Sequence, residues 1–321
     1  MYVSVPQVTL RDRVAALYSK VGVVKAGDRV EILERQKKFA RVRTPGGQEG
    51  WVEQRYLVDQ TAFDEVQKMT ADAASRAPQG TATARSQTNL HVAPGRDTEH
   101  IFQLEDGSKV QLLARATAEK PGAVATVAVK TKPGTKKAAA AEEEKTQPVL
   151  EDFWLVRSAQ PPNHAGWVLG RMLDADVPLE VAQYSEGQRI VAYFVLNEVQ
   201  DGDKKVAQYL VALTEPKDGL PFDFNQVRVF TWNVRRHRYE TAYRERKLFG
   251  MLPIRTGVED FEKEGRLPFF SFRVQDENGN TAERKYKLNT PIVRRVLGPG
   301  EQPVRSARTS SGKVSRRHRS K

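Results

Sequence analysis

Along residues 1–58 the apolar positions come in short alternating bursts. Val3 and Val5, Val8 and Leu10, Val30 and Ile32, and Ala40 and Val42 each bracket a residue of different character, the period-two pattern of half-buried strands. Phe39 and Arg41 fall on the opposite face from Ala40 and Val42. Gly27-Asp28 and Thr44-Pro45-Gly46-Gly47 punctuate the bursts. Short strands packed this densely predict a small, strongly bent barrel. The period then changes: Phe63, Val66, Met69 or Thr70, and Ala73 recur at helical spacing behind a capping-box pattern at Thr61 and Asp64. A helix is expected over 61–76, inside a linker of residues 59–79, with Pro78-Gln79-Gly80 as its stop.

The pattern of the first stretch then returns. Gly27-Asp28-Arg29-Val30-Glu31-Ile32-Leu33 is matched by Gly107-Ser108-Lys109-Val110-Gln111-Leu112-Leu113, and Phe39-Ala40-Arg41-Val42-Arg43 by Phe153-Trp154-Leu155-Val156-Arg157. Leu10-Arg11 aligns with Leu90-His91, Gly50-Trp51-Val52 with Gly166-Trp167-Val168, and Arg55-Tyr56-Leu57 with Arg171-Met172-Leu173. Matched blocks in one order predict two copies of one β domain, at 1–58 and 80–176. The second copy carries an extra segment, 117–149, with two Lys-Pro-Gly turns, an alanine run and three consecutive glutamates; this composition buries no core and predicts a disordered insert.

From residue 188 the strands lengthen. Apolar runs at 190–196 and 206–213 flank Asp201-Gly202-Asp203, and Asn278-Gly279 is a tight-hairpin signal between two further strands. A third unit over 188–297 is expected as an antiparallel sandwich or curled sheet, followed by a disordered basic tail, 298–321. The fold class is all-β: two small barrels joined by a short helix, then a larger antiparallel domain.

Composition narrows the chemistry. With no cysteine among 321 residues, thiolate metal sites and cysteine nucleophiles are excluded. The net charge of +12 is uneven: residues 303–321 hold seven Lys/Arg and no acid, so the rest carries 45 basic against 40 acidic residues, or +5. No apolar run reaches the length of a membrane span. The start reads as a strand rather than an export signal, so an envelope location requires a signal outside this chain and a cytoplasmic one does not.

The two repeats resemble bacterial SH3-like domains. That resemblance rests on the Asn89-Leu90-His91-Val92-Ala93-Pro94-Gly95 opening, the two Gly-polar-basic-Val strands, the Phe39 and Trp154 strands, and the two Gly-Trp-Val strands. It implies SH3-like barrels that bind peptide, either cell-wall peptide (peptidoglycan) or a protein partner, rather than catalyse. Tyr18, Trp51, Tyr56, Trp154 and Trp167 are the candidate groove residues, since aromatic walls seat extended peptides.

No nucleophile elbow, phosphate loop or paired-histidine metal motif occurs among the residues, so no catalytic residue, metal or cofactor is expected. Asp218 and Asp223 would be the acids of a hydrolase if there were one. Arg316, Arg317, Arg319 and Lys321 form an anion-binding candidate in the tail, for nucleic acid or an anionic membrane surface. Together with the arginine-rich hairpin 228–246 they make a nucleic-acid-associated protein the alternative to a binding or scaffolding protein of the cell envelope.

Overall fold

The computed structural model describes residues 1–128, 144–161, 163–276 and 278–298. They form an all-β protein of antiparallel sheets with few helices. The first unit comprises β1 (Tyr2–Val3), β2 (Gln7–Arg11), β3 (Lys20–Lys25), β4 (Glu31–Gln36), β5 (Phe39–Arg43), β6 (Glu49–Glu53), a 3-10 turn at Gln54–Tyr56, and β7 (Leu57–Val58). Its sheet runs β3-β2-β6-β5-β4, and β1 pairs with β7. Val3, Leu10, Val24, Val30, Ala40, Val42, Val52 and Leu57 fill its core. Strand β3 was not anticipated; Val21-Gly22-Val23-Val24 shows no clean alternation, and pairing with β2 decides its state.

Helix α1 (Gln60–Ala74) is capped by Asp59, whose carboxylate accepts from the Ala62 amide at 2.8 Å. The helix therefore begins one residue before Thr61, and the Thr61 capping box is not used. Ala62, Val66 and Ala73 are its buried face. Its last carbonyls, of Ala73 and Ala74, accept from Arg157 Nη1 at 2.8 and 2.9 Å, which satisfies acceptors that a helix end leaves open.

The second unit comprises β8 (Gly80–Ala84), β9 (Thr88–His91), β10 (His100–Leu104), β11 (Lys109–Ala128), β12 (Glu144–Ser158), β13 (Ala165–Leu169), a 3-10 turn at Gly170–Met172, and β14 (Leu173–Ala175). Its sheet order, β10-β9-β13-β12-β11-β8-β14, repeats β3-β2-β6-β5-β4 strand for strand. Val42 faces Gly50 and Val156 faces Gly166; Arg11 faces Trp51 and His91 faces Trp167. Both hairpins slip register at a matched place, beside Leu33 and beside Leu113, and the longer one slips again between Glu119 and Val124. A Cβ on Gly50 would lie 2.7 Å from the Leu10 Cβ, and one on Gly166 2.5 Å from the Leu90 Cβ. Only glycine lets the crossing strand approach that closely, which explains why Leu10 with Gly50 and Leu90 with Gly166 recur as a pair.

The expectation of disorder across 117–149 is corrected at both ends. β11 continues to Ala128 and β12 starts at Glu144, with Ala116 paired to Phe153 and Ala118 to Glu151. Backbone pairing extends the hairpin although its composition buries little. Residues 129–143 and the tail from 299 lie outside the described residues, and with them Arg316, Arg317, Arg319 and Lys321.

The third unit follows α2 (Leu179–Ala182). Strands β15 (Arg189–Asp201), β16 (Lys204–Thr214), β17 (Phe224–Asn233), β18 (Arg238–Asp260), β19 (Arg266–Gln275), β20 (Thr281–Asn289) and β21 (Ile292–Val296) pair in sequence order. The sheet curls: β18 pairs with β17 before Gly250, with β19 after it, and slips register between Met251 and Arg255, a bulge that turns a corner. Phe224, Phe270, Phe272 and Tyr286 fill the inside, while Val181 of α2 covers Tyr209, Val211, Leu213 and Phe230 outside. Tyr239, Thr241 and Tyr243 alternate along the sequence but do not share one face of the sheet. Val229 faces Tyr243 but Phe230 faces Thr241, so Ala242 is an extra residue; Tyr239 packs outside and Tyr243 inside.

The second and third units share one apolar core that includes Leu112, Trp154, Val191 and Ile254. A buried ionic network sits at the same junction. Arg115 donates to Asp152 at 2.6 Å, to Asp223 at 3.2 Å and to the Phe222 carbonyl at 2.9 Å. Arg189 donates to Asp152 at 3.1 Å and to Asp218 at 3.0 Å. Burial pushes the Asp223 carboxyl up despite Arg115 beside it.

Candidate functional site

The exposed face of the first barrel is built from three adjacent strands. Trp51 on β6 stands between Arg11 on β2 and Arg41 on β5, and side chains of directly opposed residues share a face. Arg11 carries its guanidinium 4.2 Å from the Tyr18 ring centroid and 5.4 Å from that of Phe39, a cation–π geometry. The loop after β2 is held shut at its base. The Ser19 amide donates to Asp12 Oδ1 at 2.7 Å, the Asp12 amide donates to the Ser19 carbonyl at 3.0 Å, and Arg13 Nε donates to Asp12 Oδ2 at 2.8 Å. Bonds from Arg13 and then the Ser19 amide hold the Asp12 carboxyl below its usual range. From this loop Leu17, 88% exposed, and Tyr18, 43% exposed, stand out into solvent.

Acids accompany the arginines. Arg41 Nη2 donates to Glu49 at 2.9 Å, and Arg11 lies 3.9 Å from Glu53. The row Tyr18–Arg11–Trp51–Arg41, with Phe39 alongside, therefore offers ring faces and fork-shaped donors at nearly balanced charge. Such a surface stacks against proline or aliphatic side chains and pairs with isolated carboxylates of an extended chain.

The structure brings Tyr18 and Trp51 to one face and places the other three candidates elsewhere. Tyr56 sits in the 3-10 turn against the barrel core, its hydroxyl accepting from Arg55 Nη2 at 2.8 Å. Trp154, 9% exposed, belongs to the core shared with the third unit and lines a cleft of about 430 Å³ beside Leu112, Arg171, Arg189 and Asp218. Trp167 occupies the position in β13 that Trp51 holds in β6, but α1 packs beside it: the half-buried ring joins Met69, Ala73, Leu155 and Ala165 in one apolar cluster. The reason is composition. Where the first barrel has Arg41 and Glu49, the second has Leu155 and Ala165, and the apolar pair takes the helix.

Sequence reading missed Arg11, Phe39 and Arg41 as members of the face. The signal was available in principle, because they are the strand neighbours of Trp51. The remaining candidates are engaged internally. Asp218 and Asp223 are held by Arg189 and Arg115. In the 228–246 hairpin, Arg228 is buried against Glu186, and Arg236 and Arg238 both pair with Glu240. Among the described residues no group of three or more His, Asp or Glu is placed to hold a metal ion, and no helix is long and apolar enough to cross a membrane.

Comparison with known families matches residues 10–58 to the bacterial SH3 domain; the first barrel carries that domain. Comparison with curated proteins finds no match. Among solved structures, the crystal structure of an NlpC/P60 family protein from Bacillus cereus ATCC 10987 at 1.79 Å aligns over 90% of this chain and 94% of its own, with 10% identity and a TM-score of 0.21. A score of that size establishes no shared fold.

Proposed function

We propose that this chain is a non-catalytic binding protein of the bacterial cell envelope, made of two copies of one SH3-like barrel and a third β unit, and that its first barrel holds an extended peptide of the cell wall. The observation that carries the reading is the uncovered row Tyr18–Arg11–Trp51–Arg41 on a bacterial SH3 domain. Tandem duplication is supported by the identical strand order, the matched register slips and the two glycine crossings. In this reading the copies have divided their work. The second turned its equivalent face onto α1, and the first kept its face for a ligand.

The test is retention on purified peptidoglycan. Trp51→Ala and Tyr18→Ala are each expected to lower retention at unchanged melting temperature, because neither side chain belongs to the core cluster of the first barrel, whereas Trp167 packs into an apolar cluster with α1. Trp167→Ala is expected to lower the melting temperature instead. Full retention by the Trp51→Ala/Tyr18→Ala double variant would remove this face from the account.

A further inference from the structure

On the third unit, three arginines converge on one carboxylate. Arg228 on β17 is directly opposite Arg244 on β18, a like-charge pairing that is unfavourable without a counter-ion. Glu186 supplies it: its Oε1 accepts from Arg228 Nη2 at 2.5 Å and from Arg244 Nη2 at 3.0 Å. Its Oε2 has only Arg246, 3.9 Å away. Lys247 stands next to Arg246 with no ion pair or hydrogen bond among the described residues. Glu215 is the further acid nearby, engaged with Asn225 Nδ2 at 3.4 Å. Three arginines on Glu186, with Lys247 beside them in the lining, leave the site short of negative charge.

The same residues form a pocket of about 410 Å³, lined by Glu186, Gln188, Asn225, Gln226, Arg246 and Lys247. The β-ladder opens to make it. Gln226 faces Arg246 and Phe224 faces Gly250, so residues 247–249 are set against Asn225 alone. Two residues at its rim hold left-handed backbone, Glu186 at φ 53° and Lys247 at φ 58°, a conformation disfavoured for any side chain with a Cβ and concentrated at functional sites. Arg246 is aimed by a relay: its Nε donates to Gln226 Oε1 at 2.8 Å, and Gln226 Nε2 donates to Gln188 Oε1 at 2.9 Å. That fixes the guanidinium by one edge; its Nη2 stands 3.9 Å from Glu186 Oε2, beyond hydrogen-bond distance, so the terminal N–H groups can turn to a ligand, with the Gln188 amide and the Lys247 ammonium as further donors.

We infer that this pocket binds a phosphate-type oxyanion, held by Arg246, Lys247 and Gln188. Donors from three directions suit a tetrahedral group, and the guanidinium fork meets two of its oxygens. The group is either a soluble phosphate or the headgroup phosphate of a lipid.

The probe is inorganic phosphate, titrated calorimetrically into the full chain at constant ionic strength. Saturable binding is expected. Lys247→Gly removes the cation and relieves the left-handed strain, so its melting temperature without phosphate should equal or exceed that of the parent. Its phosphate affinity should nonetheless fall about tenfold or more, as loss of a charge-assisted bond does; Arg246→Gln should weaken binding similarly. Vesicles of phosphatidylcholine containing phosphatidic acid then separate the sources. Retention that depends on Lys247 assigns a lipid phosphate; phosphate binding without such retention assigns a soluble one. Titrations that are flat, or equal in parent and both variants, would overturn the inference.

Discussion

At the scale of the residue, small differences at matched positions decide what each side chain does. Gly50 and Gly166 are close-approach positions, and Gly50→Ala is expected to cost about 1–3 kcal/mol in chemical denaturation, as overpacking does, because the new Cβ meets Leu10. His100 and His164 give a pH signature. Burial pushes both below the ordinary imidazole value of 6.5, and His91 adds to the effect on His100. His164 also stacks on Phe102 with centroids 3.4 Å apart. The unfolded chain therefore takes up these protons first. Their contribution is complete above about pH 6.5 and is lost as the pH falls toward the lower folded values. Melting temperature measured from pH 7.5 to pH 5 should decline, and His164→Phe should flatten part of that decline. The tryptophans were legible as a matched pair in the sequence. Their fates were not, because Trp51 and Trp167 differ through the residues opposite them on the adjoining strands, Arg41 against Leu155, and that difference shows only once the matched blocks are set in register.

At the scale of the element, the helix and the hairpin bulges carry the lesson. The helical period in 63–73 was readable, but the cap was not: Asp59, rather than the Thr61 of the capping-box pattern, reaches the Ala62 amide. Accordingly, Asp59→Ala should cost about 1 kcal/mol of stability and Thr61→Ala far less, measured by denaturant unfolding. The far end depends on Arg157, which had no helical signal because it lies on β12. In the third unit, strand existence followed from the apolar runs, whereas the bulges at Ala242 and between Met251 and Arg255 did not. An extra residue leaves composition unchanged while exchanging the faces of everything beyond it. The 117–128 and 144–149 stretches misled for the opposite reason: they flank a segment of glycine turns and alanines that shows no strand alternation, and pairing along a long hairpin makes them strands.

At the scale of the whole molecule, the second and third units are joined by a common core and by Arg115, Asp152, Arg189, Asp218 and Asp223. Asp152 is nearly solvent-free, and Asp152→Ala would leave Arg115 buried without its main partner; a loss of about 3–5 kcal/mol is expected, read as a downward shift of one transition shared by both units. None of this contact could be read from local periodicity, since its members lie far apart in the chain. The proposed function turns on an asymmetry: the Trp51 face stands outside the core of the first barrel, while the matched Trp167 face of the second unit packs against α1. The most direct measurement is an amide and indole NMR titration of the full chain with a soluble cell-wall peptide. Shifts centred on Arg11, Tyr18, Phe39, Arg41 and the Trp51 indole, with the Trp167 and Trp154 indoles unmoved, are the predicted result. Shifts centred on the second barrel, or none at saturating peptide, would contradict it.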